Sequence, residues 1–118
     1  MWTYRQSDGE LLHDGEFIGT GYSGAGDGRN NPAQEAVQNA GPIPRGLYTI
    51  APARFSERLG PIVMNLDPNP GTEVFGRDAF RIHGDNLTHD ASHGCIILGP
   101  SIRRLIADSS DKQLTVIQ

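Results

Sequence analysis

Three of the four histidines and the only cysteine of the chain fall within the thirteen positions from His83 to Cys95. A thiol that acts as a nucleophile needs a base within reach, a group that orients the base, and donors for the oxyanion formed on attack. A free cysteine titrates near about 8.5, so only about 3% is thiolate at neutral pH. His83, expected to end a strand, is the partner for Cys95. Complete ionisation would raise the reactive fraction only about 30-fold. Proton transfer to a leaving amine adds roughly 10²–10⁴, so the imidazole has to serve as acid as well as base. In Ser92-His93-Gly94-Cys95 the glycine directly before the sulfur lets the chain turn sharply and aim backbone N–H groups at a substrate carbonyl. Loss of one such donor typically costs about 2.7–4 kcal/mol.

Other readings of the same residues stay open. A lone cysteine is commonly a small buried hydrophobe, and the apolar Ile96-Ile97-Leu98 beside Cys95 fits that. His83, His89, His93 and Cys95 could instead offer four ligands to zinc, with a spacing that matches no common zinc pattern. A domain that binds its target without turning it over would also accommodate them. His13 has no chemical neighbours in sequence and is expected to be a surface residue.

The elements that must position these residues are mostly strands. Trp2 to Gln6 alternates, Asp8-Gly9 is a tight-hairpin signal before Leu11-Leu12-His13, and Asp14-Gly15 repeats it before Glu16-Phe17-Ile18. Gly19 to Asn31 is almost all turn formers and reads as one long loop. Asn31-Pro32-Ala33-Gln34 fits the start of a short helix running to about Asn39, broken by Gly41-Pro42. Strands are expected at Leu47–Ile50, Ile62–Leu66, Phe80–His83, Cys95–Leu98 and Leu114–Ile117, with Asp67 to Gly71 as a turn. A second helix follows Gly99-Pro100, capped by Ser101, with Ile102, Leu105 and Ile106 on one face. The expected fold is one mainly β domain over residues 1–118 with two short helices.

Composition narrows the function classes. Fifteen glycines and eight prolines in 118 residues favour a loop-rich β fold. Ten basic against fourteen acidic residues, with no basic cluster, argue against a nucleic-acid partner. Nine of the ten cations are arginine, the residue suited to bidentate recognition of carboxylates. No apolar run approaches the roughly 20 residues of a membrane span, and Met1-Trp2-Thr3-Tyr4-Arg5 does not read as a signal peptide. The single cysteine excludes an internal disulfide.

His83-Gly84 followed by Ser92-His93-Gly94-Cys95 resembles the signature of the L,D-transpeptidases of the YkuD-like class. Gly21-Tyr22-Ser23-Gly24, Asn30-Asn31-Pro32, Gly41-Pro42-Ile43-Pro44-Arg45-Gly46-Leu47-Tyr48, Gly76-Arg77 and Phe80-Arg81-Ile82-His83-Gly84-Asp85 are similar to a narrower group. That group is the small L,D-transpeptidase-like effectors of bacterial type VI secretion, and the similarity covers nearly the whole chain. The resemblance implies an L,D-transpeptidase-like catalytic domain that needs no cofactor or metal and acts on the stem peptides of peptidoglycan. Cys95 would be the nucleophile and His83 the acid and base, oriented by the Gly84 carbonyl. N–H groups near Gly94 and Cys95 would form the oxyanion hole, and His93 and Ser92 would support the loop and the substrate. Water would complete a carboxypeptidase reaction, and a free D-amino acid an exchange. The resemblance further implies synthesis in the bacterial cytoplasm, delivery into a target-cell periplasm, and a cognate immunity protein.

Two departures stand out. Only eight residues separate His83 from Ser92, which implies a trimmed loop and a more open cleft. The class carries an arginine two positions after the cysteine where this chain has Ile97. Asp85, Arg77 and Arg81 are the substrate-binding residues expected here, the two arginines standing in for the missing one.

Overall fold

The opening strands follow from alternation. In the computed structural model, which describes Met1–Gln118, β1 (Trp2–Arg5), β2 (Glu10–His13) and β3 (Glu16–Thr20) form an antiparallel meander. Asp14 and Gly15 both take positive φ, the two-residue turn expected between β2 and β3. The Asp8-Gly9 turn is longer than a tight hairpin, because β1 stops at Arg5 and only Gly9 has positive φ. The Gln6 side chain is fully buried there, donating to the Ile43 carbonyl and to Glu35.

The remaining strands are β4 (Tyr22–Ser23), β5 (Gly46–Ile50), β6 (Arg54–Ser56), β7 (Gly60–Pro68), β8 (Arg81–His83), β9 (Ile96–Ile97) and β10 (Gln113–Ile117). Their order is β3-β2-β1-β10-β5-β7-β8-β9-β4, with β6 paired to β7. The two ends of this path, β3 and β4, are joined by Gly21 alone. The sheet therefore curls almost into a barrel. Trp2 and Tyr4, Leu114 and Val116, Tyr48 and Ile50, and Met64 and Leu66 alternate inward and bury the core, with Ile82 and Ile96 completing it.

Three expectations are corrected. The first helix is only one 3-10 turn, Pro32–Gln34, although Asn31 caps it as foreseen by accepting from the Ala33 N–H. The segment has no apolar stripe to bury, and so short a helix is marginal without one. The carbonyl of Glu35 accepts from the Arg77 guanidinium. The Gly19–Asn31 loop contains the end of β3 and all of β4, where pairing to β9 overrides the glycine-rich composition. The one α-helix, α1 (Pro100–Asp108), starts on Gly99 with no side-chain cap, and Leu105 points to solvent while Ile106 and Arg103 are buried.

Candidate active site

β8 and β9 run parallel with Ile82 opposite Ile96 and His83 opposite Ile97. Ile82 and Ile96 face the core, so alternation turns Arg81, His83 and Cys95 to the other face. There His83 and Cys95 line one cleft of about 280 Å³ together with Arg77, Arg81, His93 and Gly94. Six of the nine residues singled out from the sequence thus meet in one cavity. Gly84 and Asp85 open instead on a neighbouring cavity of about 570 Å³, which they share with Tyr22, Arg29 and Arg103.

His83 Nδ1 lies 2.8 Å from the Gly84 carbonyl oxygen. A carbonyl only accepts, so Nδ1 carries the proton and the neutral ring keeps its lone pair on Nε2. His83 is buried, and that burial pushes its pKa down, helped by the charges of Arg81, Arg103 and Arg58 against the opposing pull of the Gly84 carbonyl. Burial pushes the Cys95 thiol up, with Arg81 and Arg58 acting in the opposite sense. Both shifts favour the uncharged pair, a thiol facing a neutral imidazole.

The turn before the sulfur is held from beneath. Ser92 is fully buried, and its hydroxyl donates to the Cys95 carbonyl at 2.6 Å while accepting from the N–H groups of Gly24 at 2.9 Å and Gly94 at 3.1 Å. It is closed to any ligand and supports the loop alone. The Gly94 N–H is thereby engaged, whereas the Cys95 N–H makes no hydrogen bond within the protein. Arg77, one of the expected substrate contacts, is buried and donates to the carbonyls of Glu35, Gly41, Pro42 and His93. It is a clamp behind Gly94. Arg81 is half-buried on the cleft wall, and exposed His93 touches the Asn39 carbonyl through Nδ1 at 3.2 Å.

Asp85 organises the short loop after His83. Its carboxylate accepts from the Tyr22 hydroxyl at 2.6 Å and meets His89 Nδ1 at 2.8 Å. Against the upward push of its burial, these bonds hold its carboxyl below the usual range. Arg29 closes the arrangement by lying 3.7 Å from the Tyr22 ring centre and donating to the His89 carbonyl.

His83, His89, His93 and Cys95 do not converge as metal ligands. The one group of such side chains whose ligand atoms all lie within 4.8 Å of one another is His13, Asp14 and Asp111. His13 is also less isolated than expected, since it stacks on Trp2 at 3.9 Å and its Nε2 lies 3.0 Å from Asp111. Two residues had no sequence signal. Arg58, on the β6–β7 turn, lines the cleft. Arg103, on α1, donates to the carbonyls of Leu98, Pro61 and Ile62 and packs against Gly84.

The family model of the Tlde1 domain matches residues 18–117. The chain belongs to this family of type VI secretion effectors. The match spans every strand that lines the cleft. No curated protein matches the chain. No helix of this Tlde1 domain is long and apolar enough to cross a membrane.

Proposed function

We propose that this Tlde1 domain is a cysteine-dependent L,D-carboxypeptidase and L,D-transpeptidase that acts on the tetrapeptide stems of peptidoglycan. The observation that carries the reading is the locked tautomer of His83, which leaves Nε2 without a hydrogen-bond partner on a ring that lines the same cleft as Cys95. The resemblance of the His83-Gly84 and Ser92-His93-Gly94-Cys95 motifs and membership of an effector family support the substrate class.

Nε2 of His83 takes the thiol proton as Sγ attacks the carbonyl of the third stem residue, meso-diaminopimelate. The Cys95 N–H is the free donor at the turn for the developing oxyanion. As the C–N bond breaks, the imidazolium returns the proton to the departing amine, D-alanine leaves, and the acyl group stays on sulfur as a thioester. Water then gives a proton to His83 and attacks, the C–S bond breaks, and the thiolate recovers the proton. A free D-amino acid entering through its amine completes exchange in the same way. Because both resting groups are uncharged, the first proton transfer accompanies attack.

In the effector setting the reaction trims or blocks the stems of a neighbouring bacterium in its periplasm, and the producer is protected by a cognate immunity protein. The test is mass spectrometry of disaccharide-tetrapeptide incubated with the protein, with and without a D-amino acid, beside Cys95→Ala. Tripeptide or an exchanged tetrapeptide only with the unmutated protein is expected. Identical, unconverted substrate in both samples, with sacculus binding retained, would replace the enzyme by a binding domain.

A further inference from the structure

The cleft is cationic in an anionic chain. Ten basic residues face fourteen acidic ones overall, yet Arg58, Arg77 and Arg81 line the cleft against one carboxylate, Asp78. Arg77 is accounted for by its four carbonyl partners. Arg58 and Arg81 are not. Arg5 is paired with Asp8 and Glu10, and Arg45 with Glu35. Arg58 makes neither an ion pair nor a hydrogen bond, and Arg81 makes one long bond, 3.4 Å, to the Ala79 carbonyl and otherwise faces the Cys95 sulfur.

These two guanidinium groups approach the reacting pair from different elements. Arg81 stands on β8 beside Cys95, two residues before His83, and Arg58 reaches in from the β6–β7 turn. A guanidinium is always charged and offers five donors in a planar fork, so two of them with open donors at one cleft fit an anionic, planar ligand group. Carboxylate matches this geometry bidentately.

Resting on the stem-peptide reading above, we infer that Arg58 and Arg81 bind the free carboxylate of the leaving C-terminal residue. That carboxylate is three bonds from the attacked carbon, so a group held beside Cys95 reaches it. The enzyme then reads chain ends, and an internal peptide bond, which has no carboxylate there, is a poor substrate.

The test compares disaccharide-tetrapeptides ending in D-alanine and in D-alaninamide, plus one amidated on the side-chain carboxyl of diaminopimelate. The substrates are given to the wild-type chain, Arg58→Gln and Arg81→Gln. The wild type is expected to favour the free acid over the terminal amide by about 10- to 100-fold in kcat/KM, as hydrogen bonds to a charged group imply. Either substitution should bring that ratio towards one, mainly through KM for the acid. Arg58 is exposed on a turn, so its variant folds and keeps the test decisive. Equal turnover of acid and terminal amide by the wild type overturns the inference while leaving the peptidase reading intact. Discrimination that follows the side-chain amide instead also overturns it. Turnover of none of the three overturns the stem-peptide reading, and this inference with it.

Discussion

The Arg77 guanidinium occupies the space that a side chain on Gly94 would need: a Cβ there would lie 2.5 Å from Nη2. Gly94 is also held at φ 130°, where L side chains are rarely found. Arg77 cannot swing aside, because its N–H groups are bound to carbonyls of the 35–42 segment and of His93. Gly94→Ala is therefore expected to cost about 1–3 kcal/mol in urea unfolding, the usual range for such backbone strain. D-alanine release should fall by about 10²-fold, since a shift of about 1 Å at the reacting centre is enough for that. Activity within twofold of wild type would show that the turn does not position the sulfur.

Ser92 makes a second prediction from the same turn. Its hydroxyl has three backbone partners, two of them buried, and all lose it in Ser92→Ala. A buried polar group left without a partner costs roughly 1–3 kcal/mol. The urea midpoint should drop accordingly at an unchanged m value, and the Cys95 loop should exchange its amide hydrogens faster. An unchanged midpoint would mean that water replaces the hydroxyl.

How much of this was legible in the sequence depended on the distance over which each feature is determined. The His83 and Cys95 pair could be read because its parts lie within thirteen positions, and most strands because alternation is local. Arg77 could not be placed, since its partners lie at 35–42 and 93 and are gathered only by the curled sheet. Arg58 and Arg103 were missed for the same reason, each acting on residues brought near by β7, β8 and β9. The expected helix after Asn31 failed because capping signals are local while helix survival needs a buried face. Tyr22-Ser23 was hidden by surrounding glycines, and only its pairing with β9 makes it a strand.

The two perturbed groups of the cleft give opposite signs in stability against pH. His83 is held below its ordinary value by burial, so the unfolded chain takes up its proton first and stability falls as pH drops below about 6.5. Cys95 is held above its ordinary value by burial, so the unfolded chain loses its proton first and stability falls as pH climbs above about 8.5. Urea midpoints should decline less between pH 7 and pH 10 in Cys95→Ala than in the wild type. His83→Gln should likewise soften the decline on the acid side. Parallel curves for variant and wild type would show that neither group is buried as described.

The same pair would set the pH dependence of the proposed reaction. His83 has to be neutral to take the thiol proton, and its burial, followed by the charges of Arg81, Arg103 and Arg58, lowers the pH at which it protonates. The acid limb of kcat/KM therefore lies below the ordinary imidazole value of about 6.5, with activity present above it and lost beneath it. Removing one of those charges, as in Arg58→Gln, should move the limb upward, whereas a change confined to substrate affinity leaves it in place. Alkylation of Cys95 by iodoacetamide should remain slow at neutral pH and accelerate only above about 8.5, because burial keeps the thiol protonated. A wild-type acid limb at or above 6.5, or rapid alkylation at pH 6, would mean that the resting pair is charged and that attack does not await proton transfer.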